Sequence, residues 1–397
     1  MDWDKFAFDW RLDLDALRPG LISAEALREA LSRLLLPQHW RASLDRLNRV
    51  RAVHGTTAME GNQLSEAEAA RQLDLLDQSP AATAPTDRDQ TQLRNAGVAQ
   101  QWVRTRFGPD LPPVTLSDLF HLHVLLTRSS DQANNEPGRL RTFEVSCGSP
   151  ELGGVHRGAP HPRLPQFMHD YIEMLGSRRF AAQHPVVRAL LAHFFLVTLH
   201  PFGDGNGGTS RLVEAAVLYQ GNYNLYGFYG LSNFFYRNER EYKTLLQRSR
   251  RDQPFPLQEF VSFGLRGFIG ELDSINRFVQ TKLNRLVYRD TMARARQQRV
   301  SPKRCALNAR EYALLDFLLQ ATEPDDPFAE QASKRIKLSH LLAQPFIRQA
   351  YGGLTPRTLK RELVRLAQRK FVLYRFDLGP VGEGSWIELN FDAIAHY

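Results

Sequence analysis

The sequence predicts a mainly α-helical protein that ends in a small α+β unit. Three observations carry this expectation. Apolar residues recur at helical spacing through much of the chain. A glycine-rich dozen, HPFGDGNGGTSR at 200–211, lies between two strongly apolar helical stretches. Residues 306–397 read as helices followed by two short strand-like runs.

The elements follow in order. Between residues 21 and 77, Leu27, Leu31, Leu34 and Leu35, then Leu44, Leu47 and Val50, fall three and four apart, which predicts several short helices. SPAATAPTD, 79–87, joins prolines to small residues without an aromatic anchor and reads as an exposed connector. LSDLFHLHVLLTR is helical in period, and PRLPQFMHDYIEML reads as a helix opened by proline. HPVVRALLAHFFLVTLH is apolar on nearly every side, as a central buried helix is, and RLVEAAVLYQG reads as a second buried helix ending at Gly221. From 284 to 304 the chain turns polar and basic, predicting an exposed helix end and linker. The expected organisation is an N-terminal helical region over 1–105, a central domain over 106–285 and a C-terminal unit over 300–397.

Composition narrows the function. A chain of 397 residues exceeds what one core usually supports. Its 51 Lys and Arg against 43 Asp and Glu give a net charge of +8, which permits contact with nucleic acid or anionic ligands without demanding it. Cys147 and Cys305 stand alone, which argues against a disulfide framework or a cysteine-rich zinc site and fits a reducing cytoplasm. The start, MDWDKFAFDW, has acids and aromatics where a secretory leader would be basic and then apolar. No apolar run is long enough to cross a bilayer. The expectation is a soluble cytoplasmic protein with no membrane partner.

The glycine loop is the candidate site. Gly203, Gly205 and Gly208 match the spacing of a dinucleotide fingerprint, but that motif follows a β-strand, and here the preceding stretch is helical. The lack of a G-K-[ST] ending excludes a P-loop. What remains is a helix N-terminus whose free N–H groups suit phosphate. Asp204 offers a hard oxygen for Mg²⁺, Asn206 a phosphate contact, and Arg211, one turn into the helix, a bidentate clamp. His200 stands at the entrance, where a general base is useful.

HPFGDGNGGTSR resembles the signature of the Fic family, H-P-F-x-[DE]-G-N-G-R-x-x-R, at His200, Pro201, Phe202, Asp204, Gly205, Asn206, Gly207 and Arg211. The similarity runs from GRLRTFEV, 138–145, through GGVHRGAPHP to LSNFFYRNEREYKTLL. The resemblance implies a Fic-type helical domain with a small β-hairpin flap. It also implies transfer of AMP from ATP, with Mg²⁺, to a Ser, Thr or Tyr hydroxyl of a target protein or of the chain itself. In that reading His200 is the base, Phe202 the loop anchor and Asp204 the metal ligand. Gly205, Asn206, Gly207 and Gly208 cradle phosphate, Arg211 meets the γ-phosphate, and Tyr242 offers its face to adenine. Residues 153–162 would be the flap that pairs with an extended target segment. Gly208 departs from the pattern, which usually has arginine there; losing one such contact costs about 3 kcal/mol, about a hundredfold in rate. Arg157 is a candidate substitute.

Upstream, TTAMEGN at 56–62 resembles an inhibitory motif, [ST]-x-x-x-E-[GN], found in one class of the family. It implies that Glu60 pairs with Arg211 and blocks the γ-phosphate position. At the other end, the helical runs followed by VLYRF and SWIELNF around a glycine-rich turn suggest a winged helix-turn-helix. Thr355 is expected to cap a helix carrying Arg357, Lys360, Arg361, Arg365, Arg369 and Lys370 against only Glu362. Two readings stay open: DNA recognition, which would make the chain a regulator with a weakened nucleotide-sensing domain, or a docking module, homodimerisation included.

Overall fold

The computed structural model describes residues 1–397 except 79–84, 86, 130–134, 224–229, 303, 325–334, 353–355, 377–383, 392 and 394–397. Most of the expected connector, Thr355 and the glycine-rich turn before Trp386 therefore lie outside the described residues. The architecture is mainly α, in two compact units, Met1–Leu272 and Asp273–Tyr397. The expected N-terminal region and central domain share the first unit. The expected boundary at 285 falls inside a helix, because no glycine or proline interrupts the chain from Glu271 to Gln297.

In the first unit, β1 (Trp10–Arg11) leads into α1 (Leu14–Ser32), α2 (Gln38–Ala58), α3 (Glu66–Gln78), α4 (Arg88–Arg106) and α5 (Leu116–Thr127). Local chemistry sets several starts. Asp13 accepts from the N–H groups of Asp15 and Ala16, and Thr115 with Asp118 forms a capping box on α5. A hairpin of β2 (Ser146–Ser149) and β3 (Gly154–Arg157) follows, paired antiparallel from Ser146↔Arg157 to Ser149↔Gly154. Then come α6 (Leu164–Gly176), α7 (Arg178–Ala181), α8 (Pro185–Leu199), α9 (Asn206–Gln220), α10 (Ser232–Arg237), α11 (Glu239–Ser249), β4 (Phe255–Pro256) and α12 (Gln258–Gln297).

Helices α8 and α9 form the centre of this unit, and almost every residue of each is buried. Burying so much helix requires its polar side chains to pair internally. His193 of α8 does this with two partners. Its Nδ1 lies 2.7 Å from Glu214 of α9, and its Nε2 lies 2.8 Å from the Tyr242 hydroxyl of α11. Burial lowers the His193 pKa and raises that of Tyr242. The neutral arrangement has Tyr242 O–H donating to Nε2 and Nδ1–H donating to the carboxylate. Glu214 also accepts from the Leu231 N–H at 2.9 Å. The opening aromatics pack on the same core: β1 pairs in parallel with β4, while Phe6 and Phe8 contact Phe167 and Phe195.

The second unit takes in the end of α12. The basic stretch expected as a linker is helical to Gln297 and buries Tyr288, Met292 and Ala295. The strands β5 (Arg299–Ser301) and β6 (Arg304–Cys305) precede α13 (Ala309–Ala321), which a capping box of Asn308 and Glu311 starts. β7 (Arg335–Lys337), α14 (Leu338–Ala343), α15 (Pro345–Tyr351), α16 (Pro356–Gln368), β8 (Val372–Arg375) and β9 (Trp386–Leu389) complete it. The sheet order is β7–β9–β8, all antiparallel, and Leu359, Leu363 and Leu366 turn one face of α16 into the unit's core.

Replacing His193 with Leu leaves Glu214 and Tyr242 buried without their shared partner. Urea unfolding should show a loss of about 3 kcal/mol or more, the usual cost of breaking a buried pair at one end.

Candidate functional site

The turn between α8 and α9 carries the site, and the backbone explains why it is rigid. His200 closes α8 in the left-handed region, φ 52°, a conformation normally left to glycine or asparagine. It is held there because the last carbonyls of α8 are all engaged. His200 N–H donates to Leu196, Arg250 reaches Val197 at 3.1 Å, His156 Nε2 meets Thr198 at 2.8 Å, and Ala159 N–H donates to Leu199 at 3.0 Å. Strain of this kind persists where surrounding contacts over-determine it.

Arg141 fastens the turn from the other side. Its Nε donates to the His200 carbonyl at 2.8 Å, its other guanidinium nitrogens donate to Phe143 and Ala159, and its own N–H donates to Pro201. One buried side chain thus ties the signature turn to GRLRTFEV and to the chain leaving β3. The His200 ring is directed by its Nδ1, which donates to the Val197 carbonyl at 3.3 Å and leaves Nε2 as the basic nitrogen. Burial, reinforced by Arg250 and Arg141, lowers its pKa to about 4.

Phe202 is fully buried and stacks on His123 of α5, with ring centroids 3.8 Å apart and planes at 7°. His123 Nδ1 accepts from the Gly138 N–H, so Nε2 carries the proton and donates to the Asp204 carbonyl at 3.0 Å. Gly205, at φ 69°, begins α9, and a Cβ there would lie 2.6 Å from Thr127. Among the described residues no side chain caps α9. Its first N–H groups are therefore left for an anion, as at other helix N-termini that bind phosphate.

Two expected roles fall differently. Asn206 faces inward: its Oδ1 accepts from Phe202 N–H and its Nδ2 donates to Phe202 C=O, both at 2.9 Å, so the amide shapes the turn and is not free to hold phosphate. Tyr242 is buried, stacked on Phe235 at 4.6 Å and bonded to His193, so its ring has no open face for adenine. The resemblance supplied residue types at these positions, and packing decided their direction.

Arg211 is brought to Glu60 across the unit. Its terminal nitrogen lies 2.6 Å from Glu60 Oε1, its Nε donates to Thr56 Oγ1 at 2.7 Å, and the Thr56 carbonyl accepts at 3.1 Å. Two of the three specified positions of the motif, Thr56 and Glu60, thus meet the last arginine of the signature. The arginine side chain is 2% exposed and the glutamate 36%. Gly207 lies directly beneath them: a Cβ there would sit 2.5 Å from Glu60 Oε1. Thr56, Thr57, Glu60, Gln92, Leu126, Thr127, Asp204, Gly205 and Gly208 line a hollow of only about 30 Å³. Asp204 is part of that lining, and burial holds its carboxyl above the usual range, with Glu60 adding to the shift. At Gly208 an added Cβ would meet the tip of the Leu126 side chain at 2.5 Å, so an arginine there would require that leucine to shift. Arg157 is exposed on β3.

His123 and Arg141 escaped sequence reasoning. Both lie in stretches noted for period or similarity, but their partners are far along the chain, and no local pattern marks them.

Residues 113–218, which include this turn, match the Fic/DOC family. Among curated relatives, the protein adenylyltransferase fic-1 of Caenorhabditis briggsae is 26% identical over 167 residues, 42% of this chain and 31% of the relative. The protein adenylyltransferase Fic of Drosophila grimshawi is 28% identical over 206 residues, 51% of this chain and 40% of the relative. The chain thus spans well under half the length of these relatives. A Fic family protein from Desulfovibrio desulfuricans G20 shares the fold over 97% of this chain and 98% of its own, at 19% identity and a TM-score of 0.53. A fragment of Fic-1 from C. elegans does so over 68% and 74%, at 22% and 0.53. Among the described residues, no helix is long and apolar enough to cross a membrane.

Arg141→Met should leave the His200 and Ala159 carbonyls without their donor. A loss of about 3 kcal/mol in chemical unfolding is expected, with Arg141→Lys recovering only part of it, since one ammonium cannot span the same acceptors.

Proposed function

We propose that this chain transfers AMP from ATP to a hydroxyl group of a protein, itself included, and that Glu60 holds the reaction back. One observation carries the reading: an uncapped helix N-terminus lies beneath an arginine that is already occupied by a carboxylate. Glu60 stands in for the anion that the site is built to bind.

In the transfer, the hydroxyl oxygen bonds to the α-phosphorus, the bond from that phosphorus to the bridging β-oxygen breaks, and pyrophosphate departs. His200 Nε2 takes the hydroxyl proton; its low pKa keeps it unprotonated near neutrality. The N–H groups at the start of α9 and the Arg211 guanidinium bind the phosphates. The domain's relatives imply ATP as substrate. The residues fit Mg²⁺ as its companion, since the carboxyl of Asp204, a hard oxygen donor, lines the same hollow as Glu60. Among the described residues no cluster of three or more ligating side chains could hold a metal alone. Asp204 would therefore share the ion with phosphate and water, as Mg²⁺ sites commonly do. The ion would neutralise phosphate charge there.

With Glu60 in place the hollow is small, about 30 Å³, against the several hundred that ligand pockets usually offer. Gly208 supplies no cation, so Arg211 carries the side-chain charge on the phosphates.

Glu60→Gly should raise AMP transfer by about ten- to a hundredfold, the worth of one charge-assisted bond. Mass spectrometry of purified protein incubated with ATP and Mg²⁺ reads this as added adenylyl mass on the chain. Unchanged labelling would refute the restraint, and labelling that survives His200→Ala in the Glu60→Gly background would refute the base, whose loss should cost about a hundred- to ten-thousandfold. The kcat/KM profile of Glu60→Gly should stay level from pH 8 to 5.5 because the imidazole gains its proton only near pH 4. A decline centred near 6.5 would contradict the assignment.

A further inference from the structure

The chain's excess of positive charge is not shared between its two units. Met1–Leu272 holds 30 Lys and Arg against 30 Asp and Glu, whereas Asp273–Tyr397 holds 21 against 13. The entire +8 therefore belongs to the second unit. Charge concentrated in this way is an electrostatic footprint for a polyanion.

Within that unit, burial sorts the charges further. Glu362, the only acid on α16, is 2% exposed and bound by Arg310 at 2.8 Å and by the Tyr351 hydroxyl at 2.7 Å. Arg365 turns inward to Glu311 and is not part of the outer face, a correction to the basic set read from sequence. The charged residues that α16 presents to solvent are Arg357, Lys360 and Arg361, while Arg369 and the exposed Lys370 of the expected basic set follow the helix's last residue. Arg375, exposed at the end of β8, extends the same charge to the hairpin. None of these four pairs with a carboxylate among the described residues.

The topology gives this face a use. Helix α13, strand β7, helices α14, α15 and α16, and the hairpin β8–β9 closing a sheet of order β7–β9–β8 make a winged helix-turn-helix. In such modules the helix before the hairpin is the one offered to the duplex. With 13 residues, α16 is about 20 Å long, and the major groove, about 12 Å wide, admits a helix.

We propose that the second unit binds duplex DNA, with α16 in the major groove, Arg357, Lys360 and Arg361 on phosphates and base edges, and Arg375 on the flanking backbone. Three of these four are arginines, which pair bidentately with both phosphate and the guanine edge. This inference does not depend on AMP transfer by the first unit.

The test uses the full chain and a fluorescent 30-base-pair duplex of mixed sequence, with anisotropy recorded across a salt series. Binding should weaken steeply with salt. The variant Arg357→Gln/Lys360→Gln/Arg361→Gln should bind at least tenfold more weakly at low salt, with a log–log salt slope shallower by about 2 to 3. Arg41→Gln/Arg178→Gln/Arg240→Gln, which removes the same charge from exposed positions of the first unit, should match the parent. Thermal unfolding of both variants at the parent's midpoint would show that the face, not the fold, was changed. Three results would overturn the proposal: no binding at 50 mM salt, equal weakening by the two triple variants, or displacement of the duplex by polyglutamate as effective as by unlabelled DNA of equal charge. The last would assign the face to acidic proteins.

Discussion

A chain that reverses between two buried helices must dispose of the carbonyls that end the first and the amides that begin the second. Here the two ends are treated in opposite ways. Around α8 every terminal carbonyl is met from within the protein, by Arg250, His156, Ala159 and the His200 amide. At α9, among the described residues, no side-chain cap answers the amides. That asymmetry makes the turn stiff on the His200 side and leaves amides open on the α9 side, the two properties that the proposed transfer would use.

The other features lean on this difference. Phe202 and His123 sink the turn into the core, and Asn206 closes it upon itself with two bonds to one peptide. Arg141 joins it to the chain leaving the β2–β3 hairpin. Below, His193 links α8, α9 and α11 through polar bonds that only a fully dry interior makes strong. An active turn of this kind depends less on its own dozen residues than on the charged side chains that brace it from afar.

Sequence made some of this legible and hid the rest, for physical reasons. The meeting of Glu60 with Arg211 could be anticipated because each lies in a short motif whose partner is implied by the other. The helices α8 and α9 announced themselves through apolar residues on all sides. Asn206 and Tyr242 were assigned outward roles because a motif fixes residue type but not side-chain direction, which follows from what packs alongside. His123 and Arg141 carried no local mark at all, since their partners lie tens of residues away. The net charge was plain in composition, yet its confinement to one unit emerged only when α12 was seen to run through the expected linker.

The way Arg211 is held bears on what has to move. Thr56 grips the guanidinium through both its hydroxyl and its carbonyl, while Glu60, the more exposed partner, contributes a single carboxylate contact. The arginine can stay tethered when that carboxylate swings aside. Under the restraint proposed above, the part that moves is one side chain, Glu60, once its bond to Arg211 is broken. The nucleotide's phosphate and the Glu60 carboxylate then compete directly for the same guanidinium.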